Sequence, residues 1–306
     1  MERAGILRTL AFSGAWGYAP TRLQLAMFYD RGSDGAPDFQ TSELDPLIDE
    51  GTVVESEAHL ALKSFADQIQ TGREREFYFP RKLRRARKVA AYLRRLPWVR
   101  AVCLCNTTAL GQARDESDLD FFIIAKAGAI WRTRFFSTLP FKLLGARPRV
   151  ELGAQEGTRQ TDPVCLSFFV TDDNLDLSNF MLPGDDPYFR YWFLSLLPLS
   201  DDGILDEFWE NNKIIRKRHP YAEKWMALDG EELISKYKTL SKQSSWLENK
   251  LKEMQNKQFP NQIKQMANQD TRVIINEHVL KFHVDDRREE FRQKYFDICK
   301  EYGVEP

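Results

Sequence analysis

Three short apolar runs in the middle of the chain have the length and composition of buried β-strands. They are WVRAVCLC at residues 98–105, DLDFFIIA at 118–125 and VCLSFFVT at 164–171. Short runs rich in Val, Ile, Leu and Phe are typical of strands inside a sheet. Between the second and the third, the basic, aromatic segment IWRTRFFSTLPFKLLG predicts a helix that is interrupted near Pro140. The middle of the chain therefore predicts an α+β fold.

The first region of the chain predicts short helices followed by a hairpin. Apolar residues recur at a period near 3.6 in ILRTLAF and LQLAMFY, and TVVESEAHLALKS has the pattern of two paired strands. This order resembles a winged helix, a motif that commonly binds DNA. Here, however, residues 32–62 contain eight acids and no Lys or Arg, so their surface would repel phosphate. We expect a module for packing or protein contact and not an independent reader of duplex DNA.

A strongly basic helix follows this module. Residues 72–100 contain eleven basic and two acidic residues. After Pro80, apolar residues recur at steps of three and four, which places one stripe in the core and the arginines outside. The outer face is either a solvated helix surface or a basic platform beside a site for a triphosphate or nucleic acid.

The chain divides into three predicted segments. They are a winged-helix-like module at 1–71, a central core at 72–184 and a helical C-terminal region at 185–306. The last predicted helix carries an apolar stripe that we expect to lie in the core: Phe291, Tyr295, Ile298 and Tyr302.

Composition and charge argue against several classes of protein. With 306 residues, 42% hydrophobic content and a net charge of −1, the chain predicts a globular core and no global affinity for nucleic acid or membranes. The four cysteines form no CxxC pair and lack nearby histidines, which argues against a structural zinc site or a disulfide framework. No segment predicts a secretion signal or a membrane span. We therefore expect a cytoplasmic protein with no membrane partner.

Two aspartates stand where the second predicted strand begins. Asp118 and Asp120 are separated by one residue, so both should point to one face, with Cβ atoms about 6 to 7 Å apart. Two like charges at that distance need a partner. Mg²⁺ would supply one, since it takes oxygen ligands from one or two carboxylates and the rest from phosphates and water. The alternative is that the two acids open an edge strand to solvent or cap a turn with Ser117.

The sequence around these aspartates resembles the signature of the DNA polymerase β nucleotidyltransferase superfamily. The residues that carry the resemblance are LCNTTALGQARDESDLDFFII, at 104–124. With the preceding helix and the third strand, the resemblance covers roughly residues 80–172. In that family a Gly-Ser pair follows the first strand, a small residue and a glycine come next, and an Asp-x-Asp motif binds two Mg²⁺ ions. Thr107 matches the serine, Ala109 the small residue and Gly111 the later glycine.

The resemblance implies a small nucleotidyltransferase-type mixed sheet and a Mg²⁺-dependent transfer of a nucleoside monophosphate from a nucleoside triphosphate. It assigns metal binding and catalysis to Asp118 and Asp120. It assigns nucleotide binding to a further set of residues: Asn106, Thr107, Gly111 and Ser117. The acceptor is not specified, and RNA and protein are both open.

Two departures from the family pattern bear on activity. Asn106 replaces the family's glycine, where a side chain is expected either to crowd a phosphate or to occupy a positive φ, which Asn tolerates. The family also has a third acid in its last core strand, where this chain has Ser167, and serine is not a comparable base or metal ligand. Asp162, Asp172 and Asp173 flank that strand, but none is an obvious replacement. The alternative function is therefore a catalytically impaired, nucleotidyltransferase-like binding or regulatory protein.

Overall fold

The computed structural model describes residues 3–33, 39–147, 162–222 and 245–306. These ranges contain twelve α-helices and eight β-strands. The helices are α1 (Ala4–Trp16), α2 (Arg22–Met27), α3 (Leu44–Asp49), α4 (Asp67–Glu76), α5 (Phe79–Leu93), α6 (Asn106–Ala109), α7 (Ile130–Leu143), α8 (Pro187–Leu194), α9 (Ile204–Asn211), α10 (Ser245–Gln258), α11 (Asn261–Met266) and α12 (Arg288–Glu301). The strands are β1 (Val53–Ser56), β2 (His59–Leu62), β3 (Val99–Leu104), β4 (Leu119–Ala125), β5 (Val164–Thr171), β6 (Leu197–Asp201), β7 (Val273–Ile275) and β8 (Val279–Phe282).

Six of the strands form one mixed sheet in the order β6-β3-β4-β5-β8-β7. Strands β4 and β5 are parallel, and the other neighbours are antiparallel. The three strands predicted from apolar runs are confirmed as β3, β4 and β5, and the α+β class is confirmed with them. The sheet is larger than predicted, because the segment 185–306, predicted to be helical, also contributes β6, β7 and β8.

Two apolar layers cover the sheet, and alternation along β4 assigns its side chains to them. Phe122 and Ile124 belong to the layer built with α1, α8, α9 and α12. Phe121 and Ile123 belong to the opposite layer, built with α5, α7 and α10. Asp120 is an even-numbered residue of β4 and therefore lies on the face of Phe122, at the end of the strand where the core gives way to a cleft.

The N-terminal helices and hairpin are present as predicted. Strands β1 and β2 pair in antiparallel register after α1, α2 and α3. Helix α1 also packs against α12, where the Arg8 guanidinium donates to the Glu305 carbonyl at 2.6 Å and Lys294 donates to the Ala15 carbonyl at 3.2 Å. One core layer thus draws residues from all three predicted segments. The winged-helix resemblance and the boundaries at 71 and 184 stay predictions.

The interruption predicted at Pro140 is wrong, because α7 continues through this residue to Leu143. Proline cannot donate to the carbonyl four residues earlier, which leaves the Phe136 oxygen without its helical partner. The hydroxyl of Tyr92, on α5, donates to that oxygen at 2.7 Å. A neighbouring helix therefore supplies the hydrogen bond that proline removes.

In the described parts of the chain, no helix is both long enough and apolar enough to cross a membrane.

Candidate functional site

Asp118 and Asp120 line one cleft of about 1450 Å³, at the end of the sheet where β4 and β5 begin. Asp118 immediately precedes β4 and Asp120 is its second residue. Strand alternation predicts that both side chains point to one face, and both residues line the cleft. Thr107 and Ser117 line it with them.

The two carboxylates are held in a setting that disfavours negative charge. Burial raises the pKa of Asp118 to about 6, with a further contribution from the charge of Asp120 and a small opposing one from Lys82. Burial also raises the pKa of Asp120, although hydrogen bonds from Asn106 and Cys165 counter it. Neither carboxylate forms an ion pair with Lys or Arg within the described ranges. A cation between them would therefore be electrostatically favourable.

The turn after β3 positions one of these carboxylates. Asn106 has a φ of 60°, in the left-handed region, which was one of the two alternatives predicted for this residue. Its side-chain amide donates to Asp120 Oδ2 at 2.9 Å. The asparagine at this turn thus orients the second aspartate.

Gly111 and Ser117 have different places in the loop between β3 and β4. Gly111 has a φ of +73° and packs on the ring of Phe79, but it is not among the residues that line the cleft. The positive φ accounts for glycine at this position, since other residues adopt it with strain. Ser117 does line the cleft, and its carbonyl accepts a hydrogen bond from Lys82 at 2.7 Å.

Asp162, which precedes β5, is held by two basic side chains of α5. It is 2% exposed, and its carboxylate accepts hydrogen bonds from Lys82 at 2.7 Å and from Arg81 at 3.0 and 3.1 Å. Burial opposes the charged form, but these bonds outweigh it and lower the pKa of Asp162. Lys82 itself is fully buried, although it lies outside the apolar stripe predicted for this helix.

The pairing of β4 with β5 has an irregularity near Ser167. Asp120 pairs with Cys165, and the register then shifts so that Phe122 pairs with Phe168. Ser167 lies at this irregularity and lines the cleft, with its Oγ 3.4 Å from Nε2 of His283. No group of three His, Cys, Asp or Glu side chains in the described residues could hold a metal. A metal here would take two carboxylates and find its other ligands in phosphate and water.

The wall near Ser167 carries two basic side chains with weakened charge. Burial, reinforced by Lys281, lowers the pKa of His283 to about 3, so its ring is neutral at pH 7. Burial and the charge of Arg288 lower the pKa of Lys281 to about 7, and its ammonium donates to the Thr271 carbonyl. A neutral imidazole therefore stands beside the serine that replaces the expected acid.

Two arginines that the sequence did not single out also line the cleft. Arg134 donates to Gln255 Oε1 at 2.6 Å, and its guanidinium carbon lies 4.7 Å from the ring centre of Phe282. The Nε atoms of Arg134 and Arg147 are buried and have no hydrogen-bond partner among the described residues. Burial and the charge of Arg147 lower the pKa of Arg134 to about 9, and burial lowers the pKa of Arg147.

Two nearby guanidiniums with free donors, and with no carboxylate partner in the described ranges, favour an anion between them. The sequence signal was the pair of basic residues inside the apolar α7 segment, which carries Arg132 and Arg134. Arg132 instead pairs with Glu248 at 2.9 Å, so the pattern alone could not say which arginine faces the cleft.

Comparisons with protein-family models, with curated proteins and with solved structures gave no significant match for this chain.

Proposed function

We propose that this protein is a Mg²⁺-dependent nucleotidyltransferase that moves a nucleoside monophosphate from a nucleoside triphosphate to an acceptor. One observation carries the proposal. Asp118 and Asp120 line the same cleft as Arg134 and Arg147. Within the described residues, the two carboxylates have no basic ion-pair partner and the two arginines have no acidic one. A metal–triphosphate complex offers a cation to the first pair and an anion to the second.

The donor set is compatible with Mg²⁺. Asp118 and Asp120 present oxygen ligands. Burial raises the pKa of both, and the charge of Asp120 raises that of Asp118 further, which a divalent cation would relieve. When bound there, Mg²⁺ would neutralise charge on the triphosphate and hold it in place. Asn106 keeps the Asp120 carboxylate oriented for this task through its 2.9 Å hydrogen bond.

The remaining wall of the cleft would hold the phosphates. The hydroxyl of Thr107 lines the cleft beside the aspartates and can donate to a phosphate oxygen. Arg134 and Arg147 have unused Nε donors, and guanidiniums suit the charge that develops on a leaving pyrophosphate. Positioning and charge neutralisation are the main contributions a protein makes to this reaction.

A second candidate function is a nucleotide-binding protein with impaired catalysis. The observation that favours it is the missing third acid, because Cys165 faces Asp120 and Asp162 is bound to Arg81 and Lys82. Loss of general-base help typically costs about 10² to 10⁴ in rate. Both functions require the same nucleotide and metal in the cleft, so binding and transfer need separate tests.

Binding is tested by thermal unfolding with nucleoside triphosphates, with and without Mg²⁺. A ligand at about 100 times its Kd adds about 2.7 kcal/mol, which corresponds to a rise in Tm of about 5 °C. The variant Asp118→Asn/Asp120→Asn should lose the rise. A control with the same change in charge is Glu116→Gln/Asp285→Asn, at two exposed residues that line the same cleft. A Mg²⁺-dependent rise that survives in the first variant would refute the metal site.

Transfer is tested by pyrophosphate release. We expect slow release by the wild type and faster release when a carboxylate is restored by Ser167→Asp or by Cys165→Asp, which faces Asp120 directly. Nucleotide binding without release in all three proteins would favour the binding protein. Rapid wild-type release that neither substitution changes would contradict the importance given to the third acid.

A further inference from the structure

Helix α5 and the turn that follows it present a basic surface. We define the basic face as four exposed residues: Arg84, Lys88, Arg94 and Arg95. None of the four forms an ion pair with an acidic group in the described parts of the chain. Arg84 and Lys88 are four residues apart and so lie about 6 Å apart along one side of the helix. The whole chain has a net charge of only −1, so this concentration of positive charge is local.

An exposed aromatic residue stands just before this helix. Phe77 is 83% exposed, and its ring lies 5.9 Å from that of Tyr78 in an edge-to-face arrangement. The guanidinium carbon of Arg81 in turn lies 5.6 Å from the centre of the Tyr78 ring. A large apolar side chain with this exposure offers a flat face on which a base can stack.

The same end of α5 is attached to the loop that carries the aspartates. Arg81 donates to Asp115 Oδ1 at 2.5 Å, and Lys82 donates to the carbonyls of Asp115 and Ser117 at 3.1 and 2.7 Å. Ser117 adjoins Asp118 and lines the cleft. The N-terminal end of α5, which follows Phe77 in the sequence, is therefore joined by hydrogen bonds to the loop that leads into the cleft.

We propose that the basic face and Phe77 together bind single-stranded nucleic acid and bring one end of the strand to the cleft as the acceptor. The four basic side chains would contact phosphates, and Phe77 would stack on an unpaired base. The acceptor role rests on the proposed function, whereas the binding of the strand does not.

An acidic protein segment fits these observations less well. It would satisfy the basic face, but its carboxylates offer no flat surface for the exposed ring of Phe77. A duplex also fits less well, because its bases are stacked on one another and cannot reach that ring. Single-stranded nucleic acid supplies both regularly spaced anions and free base faces.

The test is fluorescence anisotropy of a labelled 20-nucleotide strand with the full chain, without Mg²⁺ or nucleotide. One variant replaces all four residues of the basic face with alanine. Its matched control replaces four exposed lysines elsewhere: Lys213, Lys217, Lys250 and Lys300. We expect the first variant to bind at least 10-fold more weakly and its logarithmic salt slope to fall by about 2 to 3, since each phosphate contact in a single strand contributes about 0.7. The control should match the wild type.

Phe77→Ala isolates the stacking contact. We expect about 10-fold weaker binding with an unchanged salt slope, since stacking on one base is worth roughly 5- to 150-fold. RNA and DNA strands of one sequence, assayed in parallel, identify which the protein prefers. Equal affinity for a duplex, or binding of polyglutamate with no effect of Phe77→Ala, would overturn the proposal.

The Asp118→Asn/Asp120→Asn variant separates this proposal from the proposed function. It should bind the strand as the wild type does while losing Mg²⁺-dependent nucleotide binding. If the wild type binds no strand but still binds nucleotide through these aspartates, the surface proposal alone fails. If it binds the strand but no nucleotide, the proposed function alone fails.

Discussion

Asp118 should destabilise the free protein at neutral pH, and removing its charge should reveal this. Its pKa is about 6 in the folded chain, against about 3.9 for an unstructured aspartate. A difference of about two pKa units corresponds to about 3 kcal/mol. Because Asp118 is only partly buried, solvent screening reduces this to roughly 1.5 kcal/mol. We therefore expect Asp118→Asn to raise the free energy of unfolding at pH 8 by about 1 to 2 kcal/mol.

The sign of this effect fixes its dependence on pH. An acid whose folded pKa is raised contributes stability below its unfolded pKa and loses that contribution as pH rises through its folded pKa. The wild type and Asp118→Asn should therefore differ little near pH 4 and diverge between about pH 4 and 6. The Asn side chain has nearly the same shape, so packing should change little.

The assay is urea unfolding of both proteins from pH 4 to pH 8, without Mg²⁺ or nucleotide. Asp285→Asn is the control, because it makes the same chemical change at an exposed position that lines the same cleft. This control should track the wild type at every pH. An Asp118→Asn variant that is less stable than the wild type at pH 8, or a difference that does not vary with pH, would refute the electrostatic reasoning.

Two further predictions concern buried titratable side chains outside the cleft. Lys82→Met leaves the buried Asp162 carboxylate without its 2.7 Å partner. We expect this substitution to lower the free energy of unfolding, measured in urea, by about 3 kcal/mol. The exposed control Lys88→Met should stay within about 0.5 kcal/mol of the wild type. Equal effects of the two substitutions would contradict this. His219, whose pKa burial lowers to about 4, should make the protein less stable as pH falls from about 6.5 to 4, by up to about 3 kcal/mol. In His219→Gln, the loss of stability with falling pH should be smaller. If the urea midpoint of this variant depends on pH as that of the wild type does, another group is responsible.

The sequence predicted the elements whose pattern is local and strong. The runs that became β3, β4 and β5 are six to eight residues long and mostly apolar, so they stand out from their surroundings. Three strands of the sheet were not predicted. Strands β7 and β8 have only three and four residues, and the five-residue strand β6 begins three residues after α8 ends. Strands this short are defined by pairing with distant neighbours, which a local pattern does not contain.

The candidate site divides along the same line. The shared direction of Asp118 and Asp120 could be predicted from strand alternation. A positive φ at Asn106 could be predicted as one alternative from the chemistry of the turn. The shift of register that places Cys165 opposite Asp120 depends on how two strands pair over their length. The burial of Lys82 likewise depends on an aspartate 80 residues away, so helical periodicity alone did not place it in the core.

The pairing of α1 with α12 has a consequence for how the chain acquires its structure during synthesis. The apolar side of α1 is completed by residues about 280 positions later, such as Tyr295, whose ring centre lies 6.2 Å from that of Phe12. At about 5 to 20 residues per second, a ribosome needs roughly 15 to 60 seconds to reach α12 after making α1. Throughout that interval α1 lacks the apolar side chains of α12, and part of its own apolar surface stays exposed to solvent. Newly made chains should therefore depend on chaperones until α12 has been synthesised, more than a protein built from local contacts would.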